Sequence, residues 1–316
     1  MAIKRRHILQ GLGSLVSLAA CAPPQRPLRL GSIVFPGYEP LFLARELGWL
    51  APERVRLVEL MSNTDTLRAL AVGHLDAAQL TLDEFLTAVH DGVEMRIVNV
   101  LDLSEGADAV MAHPQLPVGA PLAGKRIAVE ESAAGAVMLA SFLHAQQLQP
   151  EQLKRVPSTL VESVDLLRRG EVDLVVSAEP WITQLEAQGA RRLFDSRAIP
   201  WRIVDVLAVR SDALPQHAGH LAAALKAHFD ALAHWQRQPE DAARRTAARL
   251  QLAPEQVPHA LRGLRQPDAA TARRWLSPGS PLLERALALQ AVMLKAGLLQ
   301  QPRELADLFD TRFLPT

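Results

Sequence analysis

Two stretches of this chain, 97 positions apart, repeat one pattern that any fold must accommodate twice. Leu67-Arg68-Ala69-Leu70-Ala71-Val72-Gly73-His74-Leu75-Asp76-Ala77-Ala78 returns as Val164-Asp165-Leu166-Leu167-Arg168-Arg169-Gly170-Glu171-Val172-Asp173-Leu174-Val175. Each copy reads as an amphipathic helix, a glycine able to take the left-handed cap, an apolar residue followed by Asp, and a buried strand. A spacing of this size is one compact unit of chain. The echo predicts two lobes of like build with a cleft between them.

The chain elsewhere alternates in the same way. Leu28 to Val34 reads as a strand stopped by Pro36-Gly37, and Pro40 suits the first turn of a helix to about Leu47, where its missing N–H costs nothing. Further strands are expected at Val55–Leu60, Ala77–Leu80, Arg96–Leu101, Ala109–Ala112, Lys125–Val129, Leu174–Val176 and Val204–Val209. Asn63, Thr64 and Asp65 offer caps for a helix through Ala71, and Ala133 to Gln147 reads as a long helix. Beyond Leu214 the chain is almost wholly helical. Strands alternating with helices predict an α/β fold with mainly parallel sheets.

The N-terminus carries a different signal. Lys4-Arg5-Arg6-His7 precedes an apolar run from Ile8 to Ala20, too short to span a bilayer, and Leu18-Ala19-Ala20-Cys21 closes it. This is the layout of a secretory signal, and its end resembles the bacterial lipobox, whose thiol receives diacylglycerol. Residues 1–20 are then the signal, Cys21 the lipidation site, and 21–27, with three prolines, a tether. Arg5-Arg6 also resembles a twin-arginine export signal. Either route predicts an exported protein held to a membrane face by lipid. Ala22 after the cysteine implies, by the same resemblance, the outer membrane where there is one.

Composition excludes other classes. The formal net charge is zero, so no basic excess points to nucleic acid. Cys21 is the only cysteine, which leaves the body without a disulfide or a cysteine nucleophile. His217, His220, His228 and His234 fall in a helical region read as solvated and not as a converged ligand set, so no metal is expected. Arg244-Arg245, Arg249 and Arg273-Arg274 read as a wet helix face. No catalytic residue and no cofactor is assigned.

Several short motifs then stand in order. They are Phe35-Pro36-Gly37-Tyr38-Glu39-Pro40-Leu41, Leu80-Thr81-Leu82-Asp83-Glu84, Leu101-Asp102-Leu103-Ser104-Glu105-Gly106-Ala107-Asp108 and Ser177-Ala178-Glu179-Pro180-Trp181, followed by Ile199-Pro200 and Asp205-Val206-Leu207. Together they resemble the substrate-binding proteins of nitrate/sulfonate/taurine-type ABC importers. The resemblance runs from about Leu28 to the C-terminus. It implies a two-lobe type II periplasmic-binding fold, with residues 28–100 plus 206–316 in the first lobe and 101–205 in the second. It also implies a small-molecule solute and an ABC permease with its ATPase as partners. Phe35 stands where relatives carry Trp, and the pocket-forming motifs lack Arg and Lys.

In open parallel sheets, ligands sit beyond the carboxyl ends of the strands, where loops and helix N-termini converge. That rule nominates Phe35, Tyr38, Thr64 and Thr81 from one lobe, Glu130, Ser132 and Glu179 from the other, with Asp83 beside them and Asp102 at the join. The aromatic rings offer flat walls, and the helix starts offer N–H groups. Carboxylates without a basic partner favour a cation, an amine or a hydrogen-bond-rich heterocycle. Each residue also has a bland role: Tyr38 in the core, Asp83 and Glu84 as helix caps, Asp102 to Asp108 as a hinge, Asp205 as a tether of the second crossover. Two other functions stay open, a tethered sensor lobe and an enzyme on the same fold.

Overall fold

The computed structural model describes residues 25–316. The segment read as a signal, Cys21 and the start of the stretch read as a tether lie outside the described residues. Eleven strands lie among those described: β1 (Leu28–Ser32), β2 (Val55–Glu59), β3 (Ala77–Thr81), β4 (Met95–Ser104), β5 (Asp108–Ala112), β6 (Arg126–Val129), β7 (Lys154–Pro157), β8 (Leu174–Ala178), β9 (Arg191–Asp195), β10 (Val204–Arg210) and β11 (Leu264–Arg265). Between them run α1 (Glu39–Glu46), α2 (Asn63–Ala71), α3 (Leu82–His90), α4 (Ala133–Ala145), α5 (Leu160–Arg168) and α6 (Trp181–Ala187). The C-terminal part holds α7 (Leu214–Arg237), α8 (Pro239–Leu250), α9 (Val257–Leu261), α10 (Ala269–Leu276) and α11 (Pro281–Lys295).

The strands form two sheets, ordered β11-β4-β10-β3-β1-β2 and β7-β6-β8-β5-β9. Each sheet is mixed rather than mainly parallel: one half is parallel, β2-β1-β3 in one and β7-β6-β8 in the other, and the remaining pairs are antiparallel. The strand by which the chain enters each sheet from its neighbour is antiparallel: β5 to β8 and β9, β10 to β3 and β4. The chain passes between the sheets twice, from Ser104 to Asp108 and from Asp195 to Val204. The two passages are tied together: the Ser104 and Ser196 hydroxyls are 2.7 Å apart, and the Gly106 N–H donates to Ser196 Oγ at 2.7 Å. Beneath the sheets, apolar cores of Leu, Val, Ile and Phe supply the burial that a fold without disulfides needs.

The sequence echo is a structural one. Gly73 and Gly170 both adopt positive φ, +72° and +67°, so each ends its helix where a side chain would be strained. Arg29 of β1 donates from its backbone N–H to Asp76 Oδ2 at 2.9 Å and from its guanidinium to Gly73 O at 2.8 Å. Arg126 of β6 makes the same pair of contacts, to Asp173 Oδ2 at 2.8 Å and Gly170 O at 2.9 Å. The arginines are themselves 97 positions apart, so one clamp between strand start and helix end occurs in both lobes.

Three local readings are corrected. Ser62, one residue before the expected caps, caps α2 by accepting from the Asp65 N–H at 3.1 Å. His217 and His228 are buried on the inner face of α7 rather than solvated, because that long helix packs on α1 and the first sheet. Arg249 and Arg273 are likewise no wet face. Arg249 reaches the buried Glu39, Glu59 and the Ile33 carbonyl, with its guanidinium 3.4 Å from the centroid of Phe42. Arg273 binds the carbonyls of Thr311, Leu314 and Pro315 and so fastens the C-terminal tail.

Candidate functional site

A narrow cavity of about 40 Å³ lies between the lobes, within about 520 Å³ of empty space once its open mouth is counted. The first lobe contributes Ile33, Phe35 and Tyr38 after β1, Asn63 at the start of α2, Thr81 at the end of β3 and Asp205 of β10. The second contributes Asp108 of β5, Glu130, Ser132, Gly135 and Met138 around the start of α4, Leu160 of α5 and Val176 to Ala178 of β8; Ile203 comes from the passage into β10.

Three helices begin at this cavity, and in each a side chain at the N-terminus caps one N–H of the first turn. Ser62 caps α2. Thr81 and Glu84 form a reciprocal capping box on α3, and Ser132 Oγ accepts from the Gly135 N–H at 3.1 Å on α4. The loop before α1 is set by close packing. Phe35 and Tyr38 meet edge to face at 5.0 Å between centroids. Gly37 lies under Asp102: a Cβ at position 37 would stand 1.9 Å from Asp102 Oδ2, so only glycine leaves room for that carboxyl group.

The floor is a row of polar side chains across three strands. Asp102, Asp205 and Thr81 are register partners on β4, β10 and β3. Tyr38 Oη donates to Asp205 Oδ1 at 2.6 Å. Burial drives this floor toward its neutral forms. Desolvation, and then the neighbouring carboxyl groups, push Tyr38 and Asp205 well above their ordinary values. Burial also raises Asp102, Asp83 and Glu84, and lifts Asp108 to about 6. Glu130 is raised by burial against the opposing hydrogen bonds from Ser132 and the Asn63 backbone.

Among the described residues, no Lys or Arg lines the cavity. Asp108 Oδ2, Asp205 Oδ2 and Ser177 Oγ are buried in its wall without a hydrogen-bond partner. These three unpartnered oxygens, with no cationic side chain beside them, can receive N–H or O–H groups.

Of the residues nominated from sequence, Phe35, Tyr38, Thr81, Glu130 and Ser132 line the cavity together. Four stand apart. Thr64 Oγ1 donates to the Glu131 carbonyl at 3.2 Å, a contact from lobe to lobe. Asp83 is fully buried in the first turn of α3. Asp102 is the register partner of Asp205 and packs against Gly37, outside the lining. Glu179 accepts from the Thr183 N–H at 3.1 Å and the Thr183 hydroxyl at 2.7 Å, and so holds the start of α6.

Asp108, Asn63 and Asp205 belong to the lining without having been nominated. Asp108 and Asp205 stood inside the quoted motifs, where strand-end position was the available signal. Ile33, Met138, Leu160 and Val176 read as ordinary core residues, and nothing in their sequence context set them apart.

A sequence profile of the NMT1-like family matches residues 21–252, more than half of the chain. No curated protein matches it in sequence. Among solved structures, the alkanesulfonate-binding protein SsuA from Xanthomonas axonopodis pv. citri, bound to MOPS, is similar with a TM-score of 0.72 at 18% identity, covering 89% of this chain and 96% of that one. A ligand-binding component of an ABC-type import system from Staphylococcus aureus, with zinc bound, gives 0.75 at 13% identity over 92% of this chain and 98% of its own. The desulfurization enzyme DszB gives 0.65 at 21% identity, over 91% and 97%. These likenesses establish the two-lobe periplasmic-binding fold that the motif resemblance implied.

Proposed function

This chain belongs to the NMT1-like family, and from that premise we propose that it is the solute-binding lipoprotein of an ABC importer. It captures a small organic solute between its lobes and delivers it to a membrane permease driven by an ATPase. The observation that carries this reading is the cavity itself: closed in by both lobes, largely apolar, and equipped with a few converging polar atoms. Binding proteins need two lobes that shut on a solute, and the paired passages near Ser104 and Ser196 provide a place for them to hinge.

The solute is an amine, another organic cation or a heterocycle rich in N–H groups. SsuA is an alkanesulfonate-binding protein, whereas the cavity here offers Asp108, Glu130 and Asp205 and no cationic side chain. A bare anion would face carboxyl oxygens without compensation. DszB has the same fold and is an enzyme, but the body of this chain has no cysteine.

Native mass spectrometry of the gently purified protein, followed by calorimetric titration of the identified solute, tests this. A co-purified cation or N–H-rich heterocycle, released unchanged on unfolding, is the expected result. Bound nitrate or a sulfonate would overturn the charge assignment. Chemical conversion of the solute on incubation would replace the importer reading with an enzymatic one.

A further inference from the structure

We propose that the cavity floor exchanges a proton for its solute: Asp102 and Asp205 share one proton in the solute-free protein, and a cation that reaches Asp205 and Asp108 releases it. This rests on the cationic-solute reading above and adds a coupling that no binding role requires.

The geometry comes first. Asp102 and Asp205 are register partners on neighbouring antiparallel strands, so their side chains leave the sheet on one face as a cross-strand pair, and both are essentially without solvent exposure. Neither oxygen of Asp102 receives an N–H or O–H from a protein donor. Asp205 has one donor, the Tyr38 hydroxyl on Oδ1, and its Oδ2 is free in the cavity wall.

The groups facing the pair from each packed element are then Tyr38 before α1, Thr81 at the end of β3, Glu84 of α3 and Asp108 of β5. None is a cation. Two carboxylates side by side in such surroundings cannot both be ionised, because their repulsion and desolvation have nothing to offset them. One proton held between them removes the conflict. Burial accordingly raises both groups, each for want of a positive partner.

A cation seated against the free oxygens of Asp205 and Asp108 supplies that partner. The shared proton then leaves the pair for bulk solvent, and the ammonium or amidinium N–H groups take its place as donors. Asp102 makes no contact with the solute. It acts through Asp205, as a positioning and proton-storing residue.

The test uses the full mature chain and benzamidinium, whose ring suits Phe35 and Met138 and whose parallel N–H groups suit two acceptors. Calorimetry in buffers of different ionisation heat should show about one proton released per benzamidinium bound. Affinity should rise by roughly tenfold per pH unit while the pair is protonated. In Asp102→Asn binding should persist, with proton release and pH dependence both lost, because the amide can donate to an ionised Asp205. An infrared band from a protonated carboxyl group at neutral pH, absent in Asp102→Asn, checks the shared proton without any ligand.

Binding without proton release, or the same release in Asp102→Asn, would overturn the exchange. Failure of benzamidinium and simple amines to bind would overturn the exchange and the cationic reading together, while the infrared band would still report whether the proton is shared.

Discussion

Asp76 is held by Arg29 in the first lobe as Asp173 is held by Arg126 in the second, but Asp76 alone has a second guanidinium, that of Arg26, at 2.7 Å. The two clamps are therefore unequal. Asp76 is nearly buried, its side chain 3% exposed against 26% for Asp173. Arg26, Arg29 and the Arg29 backbone together hold the Asp76 carboxyl far below the usual carboxylate range, against the burial that opposes them.

Asp76→Ala should cost about 1.5–3 kcal/mol, the range for hydrogen bonds to charged groups. Asp173→Ala should cost clearly less, since its pair is screened by solvent. Denaturant midpoints of the two variants, measured side by side, check the order. Equal losses would mean that burial does not distinguish the clamps.

Gly37→Ala pits a methyl group against the Asp102 carboxyl, which is packed in with no exposure to retreat to. Overpacking of this kind costs about 1–3 kcal/mol. The damage should extend to binding, because the same loop carries Phe35 and Tyr38. Tyr38→Phe is the complementary change: it keeps the ring and removes the 2.6 Å bond to Asp205, costing about 1–3 kcal/mol through the acceptor left unpaired. Thermal midpoints and solute affinity measured on both variants separate the effects. Gly37→Ala should lower both, and Tyr38→Phe should lower stability with the cavity shape intact.

Arg249 is one side chain with three partners: the buried Glu39, Glu59 and the Ile33 carbonyl. Removing it leaves Glu39 a buried acid without its hydrogen-bonded cation, with only the charge of Arg45 nearby, a loss of about 3–5 kcal/mol. Arg249→Met combined with Glu39→Gln should recover much of that loss, since the uncompensated group is gone. A double-mutant cycle on unfolding free energy gives the answer. Additive losses in the pair would show that Arg249 stabilises the fold through packing on Phe42 and not through Glu39.

These contacts also show where sequence reading reaches its limit. The repeat around Gly73 and Gly170 was legible because helix, cap glycine and strand are local features with fixed spacing. Its arginine partners, Arg29 and Arg126, lie more than 40 residues upstream of the aspartates they hold, and no local rule connects them. Strands β7 and β9 escaped for a related reason: Lys154–Pro157 and Arg191–Asp195 are short, charged edge strands without alternating apolar residues. At the site, positions just after parallel strands were legible from topology. Glu179 was nominated by the same rule, yet its carboxylate turns to Thr183. Position along a strand gives nearness to the cleft, whereas side-chain direction depends on partners that only the fold supplies.

The stability of the solute-free protein should depend on pH in an unusual direction. Glu179, raised by burial to about 7, and Asp108, raised to about 6, hold protons in the fold that the unfolded chain has already lost. Groups of this kind stabilise fully below their unfolded values near 4, and that contribution is lost as pH rises through the folded values. Asp76, Asp173 and Asp310, all lowered, work the other way, and their contribution disappears as pH falls below about 4. Thermal midpoints should therefore be highest near pH 5 and fall toward pH 8. Bound cationic solute should flatten the alkaline side, because it stabilises the ionised carboxylates. A solute-free midpoint that climbs steadily from pH 5 to pH 8 would contradict the raised values.

Membrane attachment should depend on one thiol. Residues 21–27 precede β1, whose first residue, Leu28, is fully buried in the first lobe. No described helix is long and apolar enough to cross a bilayer; the lipoprotein reading proposed above places attachment on Cys21. A single acyl chain gives only marginal, reversible binding, whereas two chains anchor stably. A diacylglyceryl thioether carries two. Cys21→Ala should therefore move the protein entirely from the membrane to the soluble fraction, abolish labelling by radioactive fatty acid, and leave solute affinity unchanged. Retention of the variant on membranes after a high-salt wash would defeat the lipid-anchor assignment. It would leave the interlobe site and its chemistry where they are.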